Sequence, residues 1–434
     1  MSNYKYTFCI QNYHAIENAD ITLNGITVLA GINGCGKSTI ARSLYSIVNT
    51  MNDFEAIQKD AFCRSLASEI TRANRLLYGI SPKWRNLLPR MRRIINDDGD
   101  FESNIKELYF SFLDDFAREL IDKQSDESSY FIERAYQYLL NEKPEGRGID
   151  YLINAYIDHC RNFYFQQVDN LHYNVKNRTQ EALSKAIRQE YPDCDSRLDN
   201  IHFSENGIEL LDGYQFESPL MLEKALYIDT PMALSAYDEF DGKTVWNRFR
   251  ALMFNNNAKN SPSDSEQSKI QFIIKSIIGG NIVEINDLSR PELHYKTADG
   301  LDIDISEAAT GIKSFAYILR LLENGWLNNQ TLLIIDEPEA HLHPQWIVEF
   351  AKVLVLLQKE LGVKVLIASH DPDMVAAIHD MSQYYHISDD TNFYIAENNG
   401  EGKYNYKYLG NQIGEIFESF NVALVKIRDY SGEE

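Results

Sequence analysis

The sequence predicts an α/β fold: a mostly parallel core sheet, an antiparallel sheet made partly by residues 4–30, and a helical insertion. Three observations carry this. The apolar run ITVLA leads into AGINGCGKSTIARSLY (30–45), so a strand, a glycine-rich turn and a helix follow one another. Two further apolar runs end in polar chemistry, TLLIIDEPEAHLHP (331–344) and KVLIASHDPD (364–373). Short apolar runs bounded by turn residues are the mark of buried parallel strands.

At the N-terminal end, YTFCI and ADITL alternate apolar and polar residues, as half-buried strands do. STIARSLYSIVNTM has helical spacing through Ile40, Leu44, Ile47, Val48 and Met51. Residues 52–200 hold amphipathic stretches such as IKELYFSFLDDFARELI, broken by DDGD, KQSDES and EKPEGRG. No long heptad runs through them, so a long coiled-coil arm is not expected. Strand signals return from about 201 with NIHFS, GIELLDG and KALYIDTPM. NNNAKNSPSDSEQSK (255–269) reads as a loop or linker. The expected division is therefore 1–51, first part of a head domain; 52–200, helical insertion; and 201–434, second part of the head.

Composition sets outer limits. Apolar residues are 44% and charged residues 24% of 434, normal for a globular chain. No run approaches the roughly 18 apolar residues that cross a bilayer, and MSNYKYTFCIQNYH does not read as a signal peptide. A cytoplasmic location is expected. Cys9, Cys35, Cys63, Cys160 and Cys194 show no CxxC spacing, against a zinc site or a disulfide framework. A net charge of −22 repels phosphate backbones at long range. One stretch runs the other way: residues 72–93 carry Arg72, Arg75, Lys83, Arg85, Arg90, Arg92 and Arg93 and no acid. A solvated helix face is the plainer reading of such a run.

Gly31 to Ser38 fits G-x-x-x-x-G-K-[ST]. Small residues let backbone N–H groups turn inward around a phosphate, and the helix that follows aims its positive end there. Lys37 would neutralise the phosphates and Ser38 would ligate Mg²⁺. Asp336, at the end of a strand, suits Mg²⁺, and Glu337 beside it suits orienting or activating water. His341 and His343 with Glu339 suggest a metal, but their spacing suits a turn better than a metal-binding helix. Ser369-His370 ends the third strand, where an imidazole can reach a γ-phosphate. ISEAATGIKSFAYIL (305–319) places small residues at a helix start, which offers N–H groups to an anion.

Taken in this order, these elements resemble the ATP-binding-cassette ATPases. More narrowly, the chain resembles the soluble branch that includes RecF, Rad50, SMC heads and the ATPase parts of OLD-family nucleases (AAA15-type). NYHAIENADITLNGITVLAGINGCGKST, IIDEPEAHLHPQW and KVLIASHDPDMV carry the likeness, over roughly 4–50 and 275–380. The resemblance implies ATP and Mg²⁺ as cofactors. It assigns ATP contacts to Gly31, Asn33, Gly34, Cys35, Gly36, Lys37, Ser38 and Thr39, with His14 near the nucleotide. Ser38 and Asp336 would hold Mg²⁺; Glu337 would be the base, His370 the switch histidine and Lys37 a catalytic cation. Ala309, Thr310, Gly311 and Lys313 match the segment one subunit lays on its partner's ATP, although the family's serine is Ala309 here and its first glycine is Thr310. A homodimer or higher homo-oligomer through the ATP site is implied. The usual glutamine contact has only Gln166 and Gln167 as candidates.

The chain also resembles ATPase subunits of two-component antiphage systems of the Septu and PARIS types. An ATP-hydrolysing switch that controls a separate nuclease or toxin is therefore expected. The stretch after His370 is too short for a nuclease module, so no nuclease activity of its own is expected. The alternative is a RecF-like, ATP-dependent DNA-binding repair clamp, with the 72–93 arginines as its DNA contact.

Overall fold

The structure is a computed structural model. It describes residues 4–76, 86–95, 97, 99–122, 133, 136–137, 146–229, 244–256, 265–286, 291–340 and 342–420. The described chain forms two compact units, one of 1–52 with 180–434 and one of Asp53–Thr179.

The strands are β1 Tyr6–Tyr13, β2 Ile16–Leu23, β3 Ile26–Ala30, β4 Ile201–Glu205, β5 Ile208–Leu211, β6 Lys224–Ile228, β7 Gly280–Ile285, β8 Glu292–Thr297, β9 Asp302–Asp304, β10 Thr331–Asp336, β11 Lys364–Ser369, β12 Thr391–Asn398 and β13 Tyr404–Gly410. The α-helices are α1 Lys37–Asn52, α2 Phe54–Leu76, α3 Leu87–Ile95, α4 Phe101–Asp122, α5 Ile149–Asn177, α6 Gln180–Glu190, α7 Val245–Phe254, α8 Ser265–Ile278, α9 Thr310–Glu323, α10 Pro344–Leu361, α11 Pro372–Tyr384 and α12 Gly414–Phe420. Among the described residues no helix is long and apolar enough to cross a membrane.

The first unit is built on a ten-stranded sheet in the order β5-β4-β1-β2-β13-β12-β3-β11-β10-β6. The strands β12, β3, β11, β10 and β6 run parallel. Every residue of β3, β10 and β11 is buried, as expected of strands covered by helices on both faces. In β1 only alternate positions, Tyr6, Phe8 and Ile10, are fully buried. That periodicity suits its antiparallel pairing with β2 and β4. The antiparallel strands do not form a separate sheet. They continue the parallel one, because β13 pairs antiparallel with β12 and parallel with β2. A second sheet of three strands, β7-β8-β9, precedes α9.

Local sequence explains the helix ends near the site. His343 caps α10 by accepting from the Gln345 N–H, with Pro344 in the first turn and Gly362 in the left-handed C-cap. Asp371 caps α11 by accepting from Met374 N–H, again with a proline next. One expectation is corrected: 265–269 is not linker but the start of α8, whose Gln267, Ile270, Ile274 and Ile278 are buried at helical spacing. The preceding residues 257–264 lie outside the described ones. The helical block also differs from 52–200. The second unit ends at Thr179, and α6, in the first unit, packs on α1.

The second unit is helical. α2 packs with α3 and α5, and α4 with α3 and α5, around Phe62, Leu66, Ile70, Met91, Ile105, Tyr109, Tyr156 and Tyr164.

Candidate functional site: a glycine loop at the carboxyl edge of the parallel strands

The register of the parallel strands brings three distant motifs to one edge. Ala30 of β3 pairs with Ser369 of β11, and Ala368 pairs with Asp336 of β10. Ile335 pairs with Ile228 at the end of β6. The glycine loop, Asp336-Glu337 and His370 therefore all leave the sheet from its carboxyl edge, where α/β folds bind ligands.

The loop is shaped by glycine. Gly34 and Gly36 have φ of +84° and +101°, a region that L side chains rarely adopt. A Cβ on Gly36 would also sit 2.7 Å from Ile16 Cγ1. Lys37 is the first residue of α1, and its buried ammonium donates to the carbonyls of Gly31 (2.7 Å) and Ile32 (3.0 Å). Asn33, Gly34 and Ser38 are exposed, Thr39 is half-buried and Cys35 is buried. Tyr406 of β13 supports the loop from beneath by donating to the Cys35 carbonyl at 3.3 Å. Sequence reasoning missed Tyr406; the alternating aromatics of YNYKY were the available signal.

Asp336 is almost fully buried, and burial pushes its carboxyl pKa up. Hydrogen bonding by Ser38 and Tyr227 favours the ionised form, while the charges of Asp229 and Glu337 oppose it. The Tyr227 hydroxyl donates to Oδ2 at 2.9 Å, whereas the buried Oδ1 has no donor in good geometry. Arg42 of α1 completes the group: its Nε donates to the Tyr227 hydroxyl at 3.2 Å and its guanidinium pairs with Asp229 at 3.0 Å. Tyr227, Arg42 and Asp229 carry no motif and were not found in the sequence.

Glu337 has φ +51°. A left-handed non-glycine residue costs about 1 kcal/mol or more and such residues cluster at functional sites. The conformation is held by the Glu337 N–H, which donates to Ala368 O at 2.8 Å, and by its carbonyl, which accepts from Ala340 N–H at 3.0 Å. His370 is half-exposed. Its Nδ1 is 3.4 Å from Glu337 Oε1 and 3.4 Å from Glu339 Oε1.

The remaining expected residues fall elsewhere. His14 lies in the β1–β2 turn, with Nε2 2.7 Å from Asp195 and 2.8 Å from Arg197. Ala309 is the N-cap of α9 and supplies no side-chain cap; Thr310 and Gly311 open the helix. Lys313 is buried and donates to the Ser306 carbonyl at 2.6 Å, so its charge is used inside the chain. Burial lowers its pKa. Gln166 and Gln167 lie on α5 of the helical unit. β10 lies between β11 and β6, and β6 carries Tyr227 and Ile228 and is followed by Asp229.

The contacts seen for the suggested metal ligands His343 and Glu339 are of another kind: His343 Nδ1 caps α10, and Glu339 Oε1 accepts from Ser369. His341 lies outside the described residues. So do Lys83, Arg85 and the Arg75 side chain. Arg72 is on α2, and Arg90, Arg92 and Arg93 are on α3, where Arg92 pairs with Asp60 at 2.8 Å.

The AAA_15 family, an AAA ATPase domain, matches residues 89–375. Among curated proteins, the energy-coupling factor transporter ATP-binding protein EcfA2 of Clostridium perfringens is 52% identical over 44 residues, 10% of this chain and 15% of that protein. A putative ABC transporter ATP-binding protein of the same species matches to the same extent. The chain thus spans about 15% of the length of the curated relatives it matches. Similar solved structures include an Smc head domain bound to the C-terminal domain of ScpA, from Pyrococcus furiosus (10% identity, 97% and 98% of the two chains, TM-score 0.34). Another is an ATP-binding cassette of an ABC transporter in its ADP conformation (11% identity, 98% and 99%, TM-score 0.35).

Proposed function

Since the chain belongs to the AAA_15 family of ATPase domains, we propose that it binds ATP with Mg²⁺, hydrolyses it, and acts as the switch subunit of a bacterial antiphage complex that controls a separate nuclease or toxin. The observation that carries the ATPase part is the register of β3, β11 and β10, which gathers Lys37, His370, Asp336 and Glu337 at one edge.

The residues fit the nucleotide and its ion. The loop offers a backbone cradle with left-handed glycines at 34 and 36. The Lys37 ammonium is held by two carbonyls that phosphate oxygens can replace. Asp336 keeps a buried oxygen without a donor, which a cation can use. Mg²⁺, when bound through Ser38 and Asp336, supplies charge neutralisation at the phosphates. Glu337 accepts a proton from water, and His370 holds the reacting phosphate's environment in place. Glu337→Gln should leave ATP binding intact and slow turnover by about 10²–10⁴, the range for a general base. Equal turnover by the variant and the native chain would remove this role.

For the assembly, the support is the α9 N-terminus. Ala309 gives no side-chain acceptor to its free N–H groups, so an anion can take them. Ala309, Thr310 and Gly311 are proposed to face the nucleotide of a second copy, with Lys313 bracing the turn from within. Size-exclusion chromatography with and without ATP tests this; an unchanged monomer would sink it. The switch role rests on the resemblance to antiphage ATPase subunits. Co-purification with proteins from neighbouring genes tests it, and recovery of none, with or without ATP, counts against it. The DNA-clamp reading is less well supported, because Arg92 is already paired with Asp60. DNA affinity that falls with salt and with Arg90→Ala or Arg93→Ala would restore it.

A further inference from the structure

A second deeply buried carboxylate at the site, besides Asp336, is not one of the expected catalytic residues. Glu339 stands two residues beyond Glu337 and is 6% exposed. An ionised carboxylate with so little water needs hydrogen-bond donors close by. Its Oε1 finds them at the end of β11: the Ser369 hydroxyl donates at 2.8 Å and the His370 N–H at 3.0 Å. The same oxygen lies 3.4 Å from His370 Nδ1. One oxygen therefore touches the backbone and the ring of one histidine, and the residue before it. Oε2 of Glu339 and Nδ1 of His370 are both buried and lack a hydrogen bond in good geometry. The arrangement is close to a bond without having closed it, which is common for catalytic groups before substrate binds.

The second carboxylate on that nitrogen is Glu337, with Oε1 3.4 Å from Nδ1. A carboxylate only accepts, so two of them facing Nδ1 favour a hydrogen on that nitrogen. Burial raises the Glu339 pKa, while the donations from Ser369 and His370 pull it back. The three contacts made by Glu339, to the Ser369 hydroxyl and to the N–H and ring of His370, are lost if its side chain is removed, and none belongs to the glycine loop.

We propose that Glu339 is a positioning residue: it fixes the backbone and ring of His370 so that Glu337 and His370 meet the reacting phosphate together. This rests on the ATP-hydrolysis reading given above. A plain structural tie between the turn after β10 and the end of β11 would make a different prediction. It would change stability and ATP affinity along with turnover, and it would not act through the imidazole.

The test measures ATP turnover and, separately, equilibrium binding of ATP by the full chain. Turnover by the native chain is read first; an inert native chain overturns the hydrolysis reading and this inference with it. With an active native chain, Glu339→Ala is expected to lower kcat by about tenfold or more, the scale of a lost charge-assisted hydrogen bond, with ATP affinity within about twofold. Glu339→Gln keeps an acceptor for Ser369 and His370 and is expected to recover most of the rate. In a His370→Ala background, Glu339→Ala is expected to change kcat by less than about twofold, because coupled residues are not additive. Three results would each overturn the proposal: unchanged kcat in Glu339→Ala, a Gln variant as slow as the Ala variant, or full additivity with His370→Ala. Should Glu339→Ala fail to fold, Glu339→Asp, which withdraws the carboxylate by one methylene, serves in its place with the same expected loss and the same overturning results.

Discussion

The Tyr227 hydroxyl donates to Asp336 Oδ2 at 2.9 Å, across the parallel pair β6–β10. The carboxylate that suits Mg²⁺ is thus aimed by a neighbouring strand. Tyr227→Phe leaves Asp336 buried with one fewer donor. Losing a partner of a buried polar group costs about 1–3 kcal/mol. The variant should unfold at a lower denaturant midpoint and need more Mg²⁺ for half-maximal turnover. An unchanged Mg²⁺ requirement would show that the bond is not used for the ion.

Asp336 itself should trade stability for function. Its native pKa lies above the ordinary carboxylate value because of burial. Between those two values the folded chain binds more protons than the unfolded one. Stability therefore falls as pH rises through that window, and the loss persists at neutral pH. Asp336→Asn removes the charge. It should raise the melting temperature of the nucleotide-free chain at pH 7, raise it less at pH 4, and abolish Mg²⁺-dependent turnover. A lower melting temperature at pH 7 would mean that the charge is well compensated.

Lys37 holds two loop carbonyls, at 2.7 and 3.0 Å. Its removal subtracts charge-assisted bonds of about 1.5–3 kcal/mol each. Lys37→Ala should weaken ATP binding by at least about tenfold, as read by titration calorimetry. Binding within twofold of the native chain would contradict the phosphate-loop assignment.

Gly311 offers a sharper packing test. A Cβ there would lie 2.5 Å from Trp346 Cε3. Ala is preferred over Gly in a helix by about 1 kcal/mol, but overpacking costs about 1–3 kcal/mol, and the indole abuts Phe315 at 5.6 Å between ring centroids. Gly311→Ala should therefore destabilise, by chemical denaturation, and disturb the start of α9. A stabilised variant would show that Trp346 has room to move.

The strands of the core were legible because their burial is written in composition. ITVLA, TLLIID and KVLIAS are apolar almost throughout, and each is fully buried. The strands β12 and β13 were not read, although FYIA in β12 is a short apolar run and YNYKY in β13 alternates. Their importance lies in pairing, which no local pattern encodes: β13 joins β12 to β2 and so fuses the two kinds of strand into one sheet. The 265–269 stretch misled because its first residues are polar. The helix is paid for further on, by Ile270, Ile274 and Ile278 against the core.

The sequence by itself determined the chemistry that travels in short segments: the glycine loop with Lys37 and Ser38, the strand-end Asp336-Glu337, and Ser369-His370. Each is a local pattern with a local physical reason, namely backbone freedom at glycine, the helix N-terminus, or a polar group at the end of an apolar strand. Only the tertiary structure decided which side chains stand behind them. Tyr227 and Arg42 meet at Asp336 because β6 and α1 both border β10. Tyr406 reaches Cys35 because β13 lies near the loop. Glu339 turns back to Ser369 and His370 because the turn after β10 is buried against the end of β11. These partners are separated by up to several hundred residues, and hydrogen bonds between buried groups depend on register and burial, which arise only when the strands have found one another.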